Sequence, residues 1–196
     1  MTKIILASQS PRRKELLQQI GLEFQVHPSS VEENVDTSDP IQAVKDLSFQ
    51  KASDVARQIH EERKKEECLV IGSDTIVVYD NKILGKPDSS QHAKEMLKML
   101  QGNEHSVCTG VTLVFINDHN MDVVTFAEET RVTMLPMTEE EIQWYVDSKE
   151  PLDKAGSYGI QGLGARYIEK IQGDYNNVVG LPVSRIYQEL KKRGTI

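Results

Sequence analysis

Cysteine is scarce in this chain, with two in 196 residues, and each sits in an apolar, strand-like run: Cys68 and Cys108. Two such residues exclude a disulfide framework and read as small buried hydrophobes of a reducing compartment. Aromatic residues make up only 6%, with a single tryptophan. No apolar run approaches the length of a membrane span. Met1-Thr-Lys-Ile-Ile-Leu-Ala is too short an apolar start for a signal peptide, and the expected location is the cytoplasm, with no membrane partner. The five histidines, at 27, 60, 92, 105 and 119, show no paired metal-ligand spacing, which argues against zinc. A phosphate-binding Walker A motif is absent as well. Basic residues are outnumbered 23 to 30 by acidic ones, for a net charge of -7. That excess discourages duplex nucleic acid as a partner, yet leaves room for a small basic pocket.

What is present is an ordinary globular mixture, 38% hydrophobic and 27% charged. Ile4-Ile5-Leu6 reads as a buried strand. Ser10 and Pro11 then cap and open a helix with Leu16, Leu17 and Ile20 on one face, ended by Gly21. Phe24 and Val26 alternate as a second strand does. Asp39-Pro40 opens a helix to about residue 65, striped by Ile41, Val44, Leu47, Ser48, Val55 and Ile59. Leu69–Ile71 and Ile76–Val78 flank Gly72-Ser73-Asp74-Thr75 as one long or broken strand, and Asp80-Asn81 turns it into Ile83-Leu84. A helix over Ser90–Leu100 stops at Gly102. Strands over Ser106–Ile116 and Asp122–Thr133 are joined by a turn at residues 117–120. Thr138 and Glu141 form a capping box. Residues 156–164 are rich in glycine, Tyr167–Ile171 is strand-like, and Leu181-Pro182 begins a terminal helix. With no linker or repeat, residues 1–196 read as one α/β or α+β domain around a mixed sheet.

Four groups of residues carry chemistry. Ser8-Gln9-Ser10-Pro11-Arg12-Arg13 places hydroxyls, forked cations and unpaired helix N–H groups at one strand end, which suits phosphate; it also reads as a plain cap followed by solvated arginines. Asp74 interrupts an apolar strand, where a carboxylate is costly without a cation; a turn aspartate is the other reading. Lys51 falls on the apolar side of its helix, either snorkelling at the edge or reaching a phosphate. Lys86 and the pair Glu32 and Glu33 are open in the same way: a solvated lysine or a phosphate ligand, an acidic loop or a second metal carboxylate. In Asp153-Lys154-Ala155-Gly156-Ser157-Tyr158-Gly159-Ile160-Gln161-Gly162 the glycines permit close backbone approach, and Gln161 has the donor and acceptor a base edge requires.

Taken in order, the chain resembles the Maf-like nucleotide pyrophosphatases, relatives of the inosine triphosphate pyrophosphatase superfamily. The resemblance rests on Leu6–Arg13, Glu33, Lys51-Ala52, Gly72–Thr75, Gly85-Lys86-Pro87, Glu150–Gly156, Tyr158–Gly162 and Val179-Gly180-Leu181-Pro182. It implies a mixed, mostly antiparallel twisted sheet flanked by helices, two lobes around a deep cleft, and a homodimer. It also implies Mg²⁺- or Mn²⁺-dependent hydrolysis of a nucleoside triphosphate between the α and β phosphates. By position, Asp74 matches the proton acceptor and, with Glu33, the metal carboxylates; Arg12, Thr75 and Gln161 match substrate-specificity positions. Ser8, Arg13, Glu33, Lys51, Lys86 and Lys154 match the polar positions around the nucleotide and metal, and Ser8, Ser10 and the helix start that follows are expected to fix the phosphate tail. Ser-Pro-Arg-Arg paired with Gly-Ile-Gln-Gly looks like the branch acting on dTTP and UTP, with modified pyrimidine triphosphates as further candidates. A non-catalytic nucleotide-binding regulator of cell division is the alternative. The stretch from Asn103 to Cys108 has no assigned role.

Overall fold

The computed structural model describes residues 2–62, 67–117 and 120–196. Seven strands form one sheet in the order β2-β1-β3-β5-β6-β7, with β4 paired to β3. In chain order they are β1 (Lys3–Leu6), β2 (Phe24–Val26), β3 (Cys68–Tyr79), β4 (Lys82–Leu84), β5 (Glu104–Ile116), β6 (Met121–Met134) and β7 (Ile168–Gln172). The helices are α1 (Pro11–Gln19), α2 (Pro40–Glu62), α3 (Ser90–Leu100), α4 (Glu139–Asp147), α5 (Tyr175–Val179) and α6 (Val183–Lys192). β1 runs parallel to both β2 and β3, whereas β3–β4 and β6–β7 are antiparallel. The sheet is therefore mixed, as the crossover and hairpin connections of the sequence require.

Local chemistry sets most boundaries. Ser10 accepts the Arg13 N–H at the start of α1, and Gly21 follows it at φ 75°. Asp39 accepts the Ile41 N–H at the mouth of α2. The Asp80-Asn81 turn has both residues at positive φ, 49° and 59°, the type I′ geometry whose twist matches a two-stranded hairpin. Thr138 and Glu141 complete the expected capping box, with bonds of 3.3 and 2.8 Å. β3 is unbroken through Gly72–Thr75, and β5 begins at Glu104, so the stretch without an assigned role is the start of a strand. The expected end of α2 near residue 65 and the centre of the turn at residues 118–119 lie outside the described residues.

The chain divides into two compact units. The first comprises residues 1–74, 109–128 and 180–196, the second residues 75–108 and 129–179. Within the first, Ile5, Ala7, Ala52, Val55, Ala56, Ile59, Cys68, Val70, Val114 and Ile116 form one core. Here α2 lies unusually close to the sheet. A Cβ on Gly72 of β3 would stand 2.6 Å from the Ser48 carbonyl oxygen, and one on Gly110 of β5 would stand 2.0 Å from that of Val44. Glycine on the strands and Ser48 and Ala52 on the helix make this approach possible, and Lys51 is carried with it.

In the second unit, α3, α4 and parts of β3, β5 and β6 enclose a core of fifteen buried residues, including Leu97, Leu100, Met134, Tyr145 and Tyr158. Each fully buried leucine contributes about 1.5–3 kcal/mol. Of three 3₁₀ segments, Glu150–Asp153, Ala155–Ser157 and Gly162–Tyr167, the first two pack Leu152 and Ala155 against this core and the third buries Tyr167 in it. Gly156 is forced there: its φ is 67°, and an added Cβ would lie 2.8 Å from Val77.

Candidate active site

The first unit contains seven of the expected residues: Ser8, Ser10, Arg12, Arg13, Glu33, Lys51 and Asp74. Ser8, at the end of β1, is buried, and its Oγ accepts from the Ser10 N–H at 3.2 Å and from Arg13 Nη1 at 3.3 Å. Arg13 Nε donates to the Gly180 carbonyl at 2.9 Å, which Ser73 Oγ also reaches at 3.3 Å. That carbonyl ties the start of α1, β3 and the Val179–Pro182 segment together. This gives Gly180 a role its motif alone did not indicate. Burial lowers the Arg13 pKa, with Asp74 and Glu33 opposing the shift and Arg12 adding to it. A guanidinium stays charged through such shifts, so a positive charge is held permanently in the field of two carboxylates.

Those carboxylates meet at Lys51. Its ammonium donates to Asp74 Oδ1 at 2.6 Å and pairs with Glu33 Oε1 at 2.9 Å. Lys51 and Asp74 side chains are 15% and 14% exposed, against 51% for Glu33. Lys51 thus does more than snorkel: α2's approach to β3 puts it on the one carboxylate that interrupts the apolar strand. Arg13 acts on the same two carboxylates, so Asp74 and Glu33 are balanced by Lys51 and Arg13 together. When Lys51 turns to a ligand, the carboxylates it leaves suit a divalent cation.

The loop carrying Glu33 is fastened to α2 by residues the sequence did not single out. Asp54 Oδ2 accepts from Ser29 Oγ at 2.7 Å and the Ser30 N–H at 3.1 Å. Gln50 accepts the Asn34 N–H at 3.1 Å and donates to the Asn34 carbonyl at 2.6 Å. The Ser29 hydroxyl, with Gln58 and the Ser30 N–H, holds the Asp54 carboxyl below its ordinary pKa despite partial burial. Only the Asp54 to Gln58 spacing, one helical turn apart, is a visible signal for this group.

The second unit holds Thr75, Lys86, Lys154 and Gln161. Thr75 follows Asp74 along β3 and is half-buried; Lys86 is exposed after β4. The Gly156 N–H bonds the Gly85 carbonyl at 3.1 Å, so the Lys86 segment and the glycine-dense segment are joined. Lys154 is occupied internally, donating to the Glu150 carbonyl and to Asp153 Oδ1, each at 2.7 Å. Gln161 is exposed, in extended backbone at φ -91° and ψ 149°, and its side chain does not cap the turn that follows.

Among the described residues there is no group of three or more His, Cys, Asp and Glu arranged to hold a metal. Nor is any helix among them long and apolar enough to cross a membrane.

A family model described as Maf-like protein matches residues 3–193. The dTTP/UTP pyrophosphatase of Agathobacter rectalis is 54% identical, covering 99% of this chain and 98% of its own length. That of Lachnoclostridium phytofermentans is 49% identical over 99% and 96% of the two chains. A third, from Bacillus thuringiensis subsp. konkukian, is 52% identical over 98% and 96%. With near-complete coverage at about half identity, the chain belongs to the Maf-like protein family.

Proposed function

We propose that this protein hydrolyses dTTP and UTP to the nucleoside monophosphate and pyrophosphate. The observation that carries the chemistry is the chain Glu33–Lys51–Asp74 beside the Arg13–Ser8 pair; the names of the relatives supply the substrates. In this reading Asp74 accepts the proton of the attacking water as it adds to the α-phosphorus. Arg13, fixed by Ser8 and the Gly180 carbonyl, offsets charge on the phosphate tail at no cost of reorganisation. Lys51 joins it by exchanging a carboxylate for a phosphate oxygen. Ser8, Ser10 and the first N–H groups of α1 orient the tail. Lys86 and Lys154, in the second unit, are read as further phosphate ligands, and Lys154 has to release Asp153 to act as one. Arg12, Thr75 and Gln161 select the base and sugar.

A divalent ion fits the donor set. Magnesium and manganese are held by one or two carboxylates, with water and substrate phosphates completing the shell. Glu33 and Asp74 are the residues that would hold it, and when bound it would neutralise charge on the departing pyrophosphate. The same reading includes a homodimer in the cytoplasm; light scattering at a mass near that of one 22.1 kDa chain would remove the dimer.

The test is a panel of natural and modified triphosphates with Mg²⁺, with Mn²⁺ and with chelator, scored for pyrophosphate. Pyrophosphate from dTTP and UTP, lost on chelation, is expected. Orthophosphate as the product would defeat the reading. Tight binding without turnover would favour a nucleotide-sensing regulator instead.

A further inference from the structure

The second unit contains a carboxylate that the proposed chemistry does not use. Glu150 begins the 3₁₀ turn after α4, and its Oε1 accepts from the Tyr145 hydroxyl at 2.9 Å and the Gly164 N–H at 3.1 Å. Its Oε2 accepts the Leu163 N–H at 2.9 Å. The Tyr145 hydroxyl accepts in turn from the Gly159 N–H at 3.1 Å, and Tyr145 itself is fully buried on α4. Both ends of the segment from Gly159 to Gly164 are therefore fastened to one carboxylate–phenol pair.

Sterics say the same. An added Cβ on Gly162, whose φ is 81°, would stand 2.7 Å from Glu150 Oε2. One on Gly164 would stand 2.4 Å from the Tyr145 hydroxyl and 2.3 Å from the Gly159 carbonyl oxygen. Lys154 lies against the same segment, since a Cβ on Gly159 would meet its Cε at 2.7 Å. Three bonds to an ionised carboxylate are stronger than a surface turn requires. Between the fastened ends lies Gln161, exposed, with its amide directed to no capping bond. An amide distinguishes one base edge from another only while its donor and acceptor are held in place.

We infer that Glu150 and Tyr145 are positioning residues for nucleotide selection, clasping Gly159–Gly164 so that Gln161 is presented in one orientation. The inference rests on Gln161 as the residue that reads the base. Glu150→Gln keeps the shape but turns an amide NH₂ toward a backbone N–H. Tyr145→Phe removes the acceptor for Gly159. Each is assayed beside Gln161→Ala for kcat and KM on dTTP, UTP and dCTP, whose base edge carries an amine where thymine and uracil carry a carbonyl.

In both clasp variants kcat/KM for dTTP and UTP falls about tenfold, the loss expected for one charge-assisted hydrogen bond. The fall comes through KM, with kcat within about twofold, and the preference over dCTP shrinks toward that of Gln161→Ala. Glu150→Gln/Gln161→Ala is no less selective than Gln161→Ala alone. Amide exchange at residues 159–164 quickens in the clasp variants while α3 and β5 stay protected. If Gln161→Ala loses the preference and the clasp variants keep it, the inference is overturned and the base-reading role stands. A preference intact in Gln161→Ala overturns both. Should Glu150→Gln not fold, Tyr145→Phe gives the same readouts.

Discussion

Asp74 and Glu150 are both carboxylates in partly enclosed surroundings, one in each compact unit, and they are satisfied in opposite ways. Asp74 is bonded by the ammonium of Lys51, a long side chain on another element that Glu33 also engages. Glu150 is bonded by two backbone N–H groups and a buried phenol. A flexible lysine can leave one carboxylate for a phosphate at small cost, whereas a backbone N–H has nowhere else to go. The first arrangement can exchange partners with a ligand and the second cannot. Burial raises the Glu150 pKa, but the Leu163 and Gly164 N–H groups and Tyr145 more than reverse that, so the carboxyl ends below its ordinary value. That direction favours the ionised form of the clasp.

The largest expected effect tests the exchangeable side of this contrast. Asp74→Asn is nearly isosteric and cannot take a proton; turnover should fall on the order of a hundredfold or more. The thermal midpoint should move little, because Asn keeps an acceptor for Lys51 and Glu33 still pairs with its charge. Near-normal rates at saturating metal would place the proton acceptor elsewhere and make Asp74 a structural residue like Glu150.

On the fixed side, acid is the probe. His105 on β5 is buried and bonds the Tyr158 hydroxyl at 2.7 Å, while its Nδ1 has no hydrogen-bond partner among the described residues. Burial lowers its pKa from 6.5 to about 4, so the folded protein holds a neutral ring. Between those values the unfolded chain binds a proton that the folded one refuses. Stability present above pH 6.5 is therefore lost as pH falls toward 4, by about 3 kcal/mol over the window. His105→Gln can bond Tyr158 without titrating, and its midpoint should decline less steeply between pH 7 and 4.5. Parallel declines would show that His105 is not the acid-sensitive group.

How much of this was legible depends on distance along the chain. Strand and helix limits follow from neighbours: Ser10-Pro11, Asp80-Asn81 and Thr138 with Glu141 mark ends within one turn of themselves. Asp74 stood out because an acid interrupts an apolar strand. Strand order is not local; β1 joins β3 across more than sixty residues, and nothing in either run specifies the partner. α5 has only five residues, too few for a periodic stripe to be visible. The clasp was invisible for a further reason. Its donors are main-chain N–H groups of Leu163 and Gly164, present at every non-proline residue and marked by no side chain. The family resemblance grouped Glu150 with Gly156 in one motif, yet a motif does not say which atoms meet.

A smaller effect addresses how α2 brings Lys51 to Asp74. Gly72→Ala forces a methyl into the Ser48 carbonyl and the Ala52 side chain, at 2.6 and 2.7 Å. Overpacking of this kind costs about 1–3 kcal/mol, and each kcal/mol lowers the midpoint of a domain this size by about 2–4 °C. Because α2 must shift, activity should fall with stability. The comparison sharpens if the surviving activity keeps its preference for dTTP over dCTP, since Gln161 lies in the other unit. An unchanged midpoint would mean that α2 yields without strain.

The smallest effect sets two loop fastenings against each other. Asp54 does for the Glu33 loop what Glu150 does for the Gln161 loop, holding Ser29 and the Ser30 N–H on α2. Asp54 accepts one backbone N–H where Glu150 accepts two, so Asp54→Asn should cost about the 0.5–1.5 kcal/mol of one ordinary hydrogen bond. If Glu33 helps to hold the ion, the Mn²⁺ concentration giving a half-maximal rise in thermal midpoint should increase about threefold. Selectivity between dTTP and dCTP should not change. Glu150→Gln should do the reverse, changing selectivity and leaving the Mn²⁺ response alone. Should both variants alter both readouts, the division between an exchangeable charge cluster and a fixed recognition loop would fail, and the two fastenings would have to be treated as one coupled element.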